Sequence, residues 1–315
     1  MKFSIATALA AFASIAFAQQ GSPVGYASQN GGTTGGKGGQ TVTVTDLAGL
    51  NAALGKKTDT AAKIIRIQGL IKGAAKVYVG SNKSIIGADS SSGLEGIGLQ
   101  IGKDAKNVII QNLKISKVVA ANGDAIGIQS STNVWVDHVD LSADTTHDKD
   151  YYDGLFDVTH ASDFITISNS FIHDHFKGSL VGHSDSNAAE DTGKLHITYA
   201  NVQWKNVGSR VPSVRFGTAH VINNVYDDIF TSGVNTRMGA QVLVESTVFA
   251  NTAKPIGSWD SKTTGSAVVK DVDLGGAPNA AARGTLQSVP YSIAALGAAN
   301  VRGAVAGKVG NTLKL

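Results

Sequence analysis

The chain of 315 residues contains no cysteine and only five prolines, against 37 glycines. Without cysteine no disulfide can form, so the fold must be stabilised by a large continuous core and by strand hydrogen bonds. A chain of this length can bury such a core. Abundant glycine with little proline, together with frequent serine, threonine, asparagine and aspartate, is typical of many short strands that alternate with tight turns.

The chain also lacks a dense run of basic residues and a long apolar segment. Its formal net charge at pH 7 is only +3, and no basic stretch interleaved with aromatic residues indicates a nucleic-acid partner. No segment approaches the roughly 18 uninterrupted apolar residues of a membrane-spanning helix. We therefore predict a protein that binds neither nucleic acid nor a membrane.

Six segments repeat one pattern, in which β-prone residues lead to a polar position. These polar positions lie at intervals of 26, 31, 32, 22 and 23 residues, which is the spacing of a solenoid. They are Asn112, His138, Asn169, Asn201, Asn223 and Ser246. No helix-length amphipathic segment lies between them, so neither a βαβ sheet nor a leucine-rich horseshoe fits well. The pattern predicts an all-β fold, a single right-handed parallel β-helix.

The two ends of the chain differ from the repeats. Residues 1–18 have the basic start, apolar run and small-x-small end of a secretory signal, which predicts a secreted, extracellular protein whose mature chain begins at Gln19. Residues 19–315 are predicted to form one domain, because a solenoid grows by adding coils. The glycine-rich residues 19–40 are predicted to form an arm across the solenoid's end.

Short helices are predicted to close the solenoid at both ends. Asp46 to Leu54 predicts an N-terminal capping helix with Asp46 as its N-cap. Such a helix would seal the core of the first coil. A second short helix is predicted over Tyr291 to Ala299, closing the other end.

Three aspartates beside the repeats are candidate metal ligands. Asp153 and Asp157 lie four residues apart, a spacing that places both on one face of an extended strand. With Asp124 on the neighbouring coil, the set would suit calcium, which takes several oxygen ligands. The alternative is that all three are solvated turn residues, since aspartate is common in turns.

Three basic residues recur at intervals compatible with neighbouring coils, namely Lys177, Arg210 and Arg215. Arginine binds carboxylates through a planar fork of donors, so such a set facing an acidic groove would orient a polyanion. Taken singly, each residue has the simpler interpretation of a surface charge.

The histidines are more consistent with structural roles than with catalytic ones. His173 and His175 have no third ligand at the spacing usual for zinc. The segment 182–185, Gly-His-Ser-Asp, is not a nucleophile elbow. Asp137 and His138 follow Trp135 closely, and a buried polar pair in this position must be hydrogen-bonded, so we predict that it locks adjacent coils.

Together these residues resemble the pectate lyases, over nearly the whole mature chain. Residues 134–138, Val-Trp-Val-Asp-His, match the family signature Val-Trp-Ile-Asp-His with one conservative change. Residues 210–215, Arg-Val-Pro-Ser-Val-Arg, match the family pattern Arg-x-Pro-x-x-Arg, and residues 233–237 resemble a further family segment. Two signatures in the right order make the resemblance specific.

The resemblance implies calcium-dependent β-elimination in α-1,4-linked polygalacturonate, which gives 4,5-unsaturated ends. It implies that Arg210 is the base and that Lys177 and Arg215 bind substrate carboxylates. A monomer is predicted separately, because a capped solenoid has no exposed sheet ends. The implied calcium ligands are Asp124, Asp153 and Asp157, and the implied structural residues are Trp135, Asp137 and His138. Because a guanidinium group is normally protonated, the resemblance also predicts an alkaline activity optimum.

Three other functions stay open at this point. A pectin lyase would share the fold and the elimination but act on methyl-esterified chains without calcium, which the intact aspartates disfavour. A polygalacturonase would need paired carboxylates around a water; Asp227 and Asp228 are adjacent, but the Asn-Thr-Asp sequence of that family is missing. A noncatalytic β-helix that only binds pectin is the third.

Overall fold

The computed structural model describes residues 21–315, so the predicted signal, residues 1–18, lies outside the described residues. The described chain coils into a parallel β-solenoid of about 10 turns, which confirms the predicted β-helix. Its strands are β1 (Gln40–Val44), β2 (Lys63–Ile67), β3 (Leu70–Val79), β4 (Lys83–Gly87), β5 (Gly93–Ile101), β6 (Lys106–Gln111), β7 (Lys114–Ser116), β8 (Ile126–Gln129), β9 (Thr132–Asp137), β10 (Asp140–Ser142), β11 (Phe156–Thr159), β12 (Asp163–Ser168), β13 (Phe171–Lys177), β14 (Leu180–Val181), β15 (His196–Ala200), β16 (Gln203–Ser209), β17 (Ser213–Arg215), β18 (Thr218–Ile222), β19 (Val225–Ile229), β20 (Val234–Arg237), β21 (Gln241–Ala250), β22 (Ile256–Gly257), β23 (Ser266–Asp273) and β24 (Ala282–Arg283). The helices are α1 (Leu47–Leu54), α2 (Ala188–Asp191) and α3 (Ala298–Val305), with 3₁₀ turns at Gly25–Ser28 and Ala120–Asn122.

The central coils each contribute strands to three parallel ladders that run along the solenoid. The first ladder contains β4, β6, β9, β12, β15, β18 and β21. The second contains β3, β5, β8, β11, β14, β17, β20 and β22. The third contains β7, β10, β13, β16 and β19. Because the strands are parallel, each residue lies beside its counterpart in the next coil, about 4.8 Å away.

Five of the six polar positions that mark the repeats directly follow strands of the first ladder, and the sixth, Ser246, lies within β21. All six have positive backbone φ angles, between 47° and 56°. Asparagine adopts this left-handed conformation more readily than most residues, which explains why it recurs there. Asn223 donates to the Oδ1 of Asn201 at 3.1 Å, and Asn201 donates to that of Asn169 at 2.8 Å. The predicted register is therefore confirmed.

The core lies inside the three ladders and includes stacked aromatic rings. Trp204, Tyr226 and Phe249 occupy equivalent positions in successive coils. Their ring centroids are 5.8 and 4.3 Å apart, and the ring planes are nearly parallel. Side chains of alternate strand residues point inward, so each coil extends the same core.

The predicted N-terminal capping helix is confirmed as α1. The carboxylate of Asp46 accepts the backbone N–H of Gly49 at 2.7 Å, which satisfies one of the free donors of the first turn. Leu50 and Leu54 of this helix are buried and join the core of the first coils.

The N-terminal arm lies along the side of the first ladder, so its predicted position across the solenoid's end is wrong. The backbone N–H of Ala27 donates to Thr166, and that of Gly36 donates to Ser84, which belongs to a coil much nearer the N-terminus. Polar side chains that point out of the first ladder bind the arm's backbone. Hydrogen bonds to these side chains replace the strand pairing that would otherwise satisfy the backbone of the glycine-rich arm.

The predicted helix over Tyr291 to Ala299 is also wrong. Residues 291–297 are not helical, since Asn223 and Ser246 bind their backbone groups, and α3 begins only at Ala298. This helix packs against β19 and β21 through Val301 and Val305, on the side of the solenoid. The tail then runs back to the first coils, where the Leu315 amide donates to the Ala88 carbonyl.

Among residues 21–315, no helix is long and apolar enough to cross a membrane.

Replacing the buried Lys83 with methionine should destabilise the protein by about 3 kcal/mol. The Lys83 ammonium donates to the backbone carbonyls of Asp59, Ala61 and Ser81 at 2.7 to 3.1 Å, and methionine would leave these acceptors unpaired. Urea unfolding measures the effect, with the exposed Lys103→Met as control. Equal unfolding free energies for the two variants would contradict the prediction.

Candidate functional site

Two of the predicted metal ligands meet at the outer face of the second ladder. Asp157 lies on β11 beside Gly127 of β8, and Asp124 lies just before β8. Backbone amides hold both carboxylates, because Gly154 donates to Asp124 and Leu180 donates to Asp157, each at 2.9 Å. The two acidic side chains are therefore fixed on neighbouring coils.

Glycines leave the space into which these carboxylates turn. A Cβ atom at Gly127 would lie 3.0 Å from the Oδ2 of Asp124, and one at Gly154 would lie 2.5 Å from the Oδ1 of Asp157. Any larger residue would displace the carboxylates. The two positions thus shape a cradle for negatively charged oxygens.

The electrostatics of the pair favour a bound cation. Burial, and then the negative charges of Asp157 and Asp153, raise the pKa of Asp124 well above its ordinary value. Burial raises the pKa of Asp157 to about 6, although the nearby Arg210 and the Leu180 amide oppose the change. Carboxylates that are costly to ionise together are stabilised by a hard cation placed between them.

Asp153 is near this pair but has another partner. Its carboxylate lies 3.7 Å from the ammonium of Lys177, and its side chain is 45% exposed. Within residues 21–315, no three histidine, aspartate or glutamate side chains are arranged to hold a metal ion as they stand. Asp153 would have to turn away from Lys177 to join Asp124 and Asp157. Asn122, two residues before Asp124, also has another partner, because its side-chain amide donates to the Gly96 carbonyl at 3.2 Å.

The predicted basic residues lie on the coils that follow. Lys177 ends β13 and is paired in register with Ser209, the residue before Arg210. The Lys177 ammonium contacts Asp150 at 3.4 Å as well as Asp153. Arg210 has a positive φ of 57°, an uncommon conformation for a side chain of its size, and its charge acts on Asp157. The charges of Lys177 and Arg210 therefore both act on Asp157 of the acidic pair.

Arg215 is held in a cluster that also contains Arg237, a residue of the segment 233–237 to which the sequence assigned no role of its own. Arg215 donates to the Gly182 carbonyl at 2.9 Å and to Asp185, and Arg237 donates to Asp185 at 3.3 Å. The two arginines are in register on β17 and β20. Burial and the neighbouring Arg215 lower the pKa of Arg237. The interval of 22 residues between them equals that between Asn201 and Asn223, a signal that could have found Arg237.

The predicted structural residues form one hydrogen-bond network on the first ladder. The carboxylate of Asp137 accepts from Gln111, Ser168 and Asn169 at 2.7 to 2.9 Å, and it lies 2.7 Å from His138. The indole of Trp135 donates to the same Ser168 at 2.9 Å. The network joins three successive coils, and it belongs to a different ladder from the acidic pair.

His173 and His175 have separate partners. His173 lies 2.7 Å from Asp174 and 3.2 Å from Asp140. His175 is buried and accepts the backbone N–H of Lys177 at 2.9 Å. Burial, and then the charge of Lys177, lower the pKa of His175 to about 4, so it is neutral near pH 7. His175 therefore fixes the backbone that carries Lys177.

The comparisons with known proteins all point to one family. A family model described as pectate lyase matches residues 1–311. Pectate lyase B of Colletotrichum gloeosporioides is 61% identical over 251 residues, which are 79% of this chain and 75% of the relative. Pectate lyase A of Aspergillus niger is 55% identical over 290 residues, which are 92% of this chain and 87% of the relative.

A solved structure shows the same fold and a ligand of its own. The pectate lyase of Bacillus sp. N165 in complex with trigalacturonate superposes with a TM-score of 0.83 at 30% identity, covering 91% of this chain and 98% of that one. The resemblance found in the signature residues is confirmed over the whole length of the chain. The chain belongs to the pectate lyase family and is a polysaccharide lyase.

Proposed function

We propose that this protein cleaves α-1,4-linked polygalacturonate by calcium-dependent β-elimination. The observation that carries the proposal is the juxtaposition of an acidic pair, the buried Asp157 and the partly buried Asp124, with Lys177 and Arg210, whose charges act on Asp157. Such a face suits an anionic sugar polymer together with a cation that bridges carboxylates. The related Bacillus enzyme binds trigalacturonate, a short form of this polymer.

Calcium would be held by Asp124, Asp157 and Asp153. When bound, it supplies positive charge that neutralises the substrate carboxylate and makes the C5 proton more acidic. The raised pKa of Asp124 and the glycine cradle support a cation at this place. Release of Asp153 from Lys177 would complete the set and also free the lysine for substrate.

The protein's own residues would carry the elimination. Lys177 and Arg215 bind substrate carboxylates, and their charges stabilise the negative charge that develops during proton removal. Arg210 takes the C5 proton. The electron pair of the C5–H bond forms the C4–C5 double bond, the C4–O bond breaks, and the leaving oxygen takes a proton from solvent. No water is added across the bond.

The proposal includes the setting in which the enzyme works. Residues 1–18 would direct secretion and be removed, which leaves residues 19–315 as an extracellular catalytic domain. We propose that this domain acts as a monomer. Analytical ultracentrifugation of the secreted protein and sequencing of its N-terminus test both statements.

The reaction type is tested by counting chain ends. Elimination gives one unsaturated end for each new reducing end, whereas hydrolysis gives reducing ends alone. We expect a ratio of one when ultraviolet absorbance and a reducing-sugar assay are run on the same digest. A ratio of zero would refute the proposal and indicate a hydrolase.

The activity should increase with pH and reach its maximum in the alkaline range. Arg210 must be in the free-base form to accept a proton, and alkaline pH increases that fraction. The measurement is kcat on polygalacturonate as a function of pH, at calcium concentrations that saturate the enzyme at every pH. Maximal turnover in acid under these conditions would contradict Arg210 as the base.

A further inference from the structure

An exposed aromatic residue lies on the same outer column as the acidic pair, on a coil nearer the N-terminus. The register of the second ladder aligns Tyr78 with Gln100, Gln100 with Gly127, and Gly127 with Asp157. Since Asp157 is three strand spacings from Tyr78, about 14 Å separate the two positions along the solenoid axis. The Tyr78 side chain is 46% exposed, among the most exposed large apolar groups of the described residues.

Between Tyr78 and Asp157, the column contains only Gln100 and Gly127. Gln100 is buried and folds flat, since its amide donates to the carbonyls of Ile101 and Gly127 at 3.2 and 3.1 Å. Gly127 has no side chain. The Gln100 amide and the Asp124 carboxylate fill the space above Gly127. Within this column, polar groups held close to the backbone therefore connect the acidic pair to the tyrosine ring.

Two lysines lie near Tyr78, at the end of the column nearer the N-terminus. The Lys57 ammonium lies 5.9 Å from the centre of the Tyr78 ring. Lys76 precedes Tyr78 by two residues and so shares its face of β3, and its charge acts on Asp124. Both lysines are exposed. An aromatic face beside free ammonium groups matches a sugar ring that carries a carboxylate.

We propose that Tyr78, Lys57 and Lys76 form a distal subsite for one galacturonate unit of a long polygalacturonate chain. The tyrosine ring packs against the sugar, and the lysines pair with its carboxylate. The inference rests on the proposed function and adds that the enzyme prefers polymer to short oligomers. Arg210 lies just before β17, five strand spacings or about 24 Å from β3, so a trimer bound across Arg210 does not reach this subsite.

The test compares two substrates. Tyr78→Ala should lower kcat/KM on polygalacturonate about fivefold and leave kcat/KM on trigalacturonate unchanged. Lys57→Gln should act in the same direction, more strongly at low ionic strength, because its contribution is electrostatic. Tyr78→Phe keeps the ring and should keep the preference for polymer. Equal losses on both substrates, or no loss on polymer, would overturn the subsite.

A binding measurement separates this inference from the proposed function. In an Arg210→Lys background, electrophoresis through gels that contain polygalacturonate reports affinity without turnover, and adding Tyr78→Ala should weaken retention. Leu70→Ala, on the same strand and 44% exposed, is the matched control and should change nothing. If the wild-type enzyme forms no unsaturated ends, the proposed function fails. If it forms them and Tyr78→Ala leaves retention unchanged, only the subsite fails.

Discussion

Replacing Arg210 with lysine is expected to lower kcat on polygalacturonate by about a thousandfold. Lysine keeps the positive charge beside Asp157 but does not place a basic nitrogen where the planar guanidinium lies. The expected loss is in kcat, because the residues proposed to bind calcium and substrate are all retained in this variant. Steady-state kinetics at saturating calcium measure it.

The control for this variant is Arg302→Lys. Arg302 of α3 pairs with Asp227 of β19 at 2.8 Å, on the third ladder and not on the second, and its replacement should leave kcat unchanged. A calcium titration followed by thermal unfolding should give the same response in Arg210→Lys as in the wild type. If Arg210→Lys keeps more than a tenth of the wild-type kcat, Arg210 is not the base and another residue must take the C5 proton.

Replacing Asp157 with asparagine is expected to abolish the stabilisation of the protein by calcium. A ligand that binds only the folded state adds about 2.7 kcal/mol when its concentration is a hundred times Kd. Asparagine keeps the acceptor for the Leu180 amide, so the local backbone is retained. Without calcium, the variant should melt at a higher temperature than the wild type, because Asp124 no longer faces a second buried negative charge.

Differential scanning calorimetry with calcium and with chelator measures both effects. Asp104→Asn is the matched control, since Asp104 is exposed and its φ of 63° suits asparagine equally well. The control should keep the full increase in Tm with calcium. A calcium response of normal size in Asp157→Asn would show that the metal binds elsewhere.

The parallel β-helix could be predicted from sequence because one local requirement recurs in six successive coils. At six successive first-ladder positions, from Asn112 to Ser246, the chain turns with a positive φ, and asparagine adopts that conformation more readily than most residues. The spacing of Asn169, Asn201 and Asn223 therefore records the length of each coil directly. The strand period that grouped Asp153 with Asp157 was wrong, since β11 begins only at Phe156 and Asp153 lies before it, beside Lys177.

The terminal segments were mispredicted because long-range partners fix their conformation. Residues 291–297 have the composition of a helix, but Asn223 and Ser246 bind their backbone groups. The N-terminal arm has no apolar period of its own, and side chains such as Thr166 position it. Local secondary-structure propensity carries no information about these contacts, because they form only once the coils have stacked.

Parts of the site also depend on stacking. Asp185 joins Arg215 and Arg237 from a loop with no repeating pattern, so its role had no signal in the sequence. Tyr78 and Asp157 are 79 positions apart in the chain and share a column only through three successive registers. Which residues become neighbours in a β-helix depends on the lengths of the intervening coils, and these lengths vary with the loops.

The most direct test of calcium-dependent elimination follows the ultraviolet absorbance of the conjugated double bond while the enzyme is incubated with polygalacturonate. We predict that absorbance increases with added calcium and that a chelator abolishes the increase. Absorbance that persists in chelator would contradict the calcium site at Asp124 and Asp157 and indicate a pectin-lyase-like reaction. New reducing ends without absorbance would contradict elimination itself.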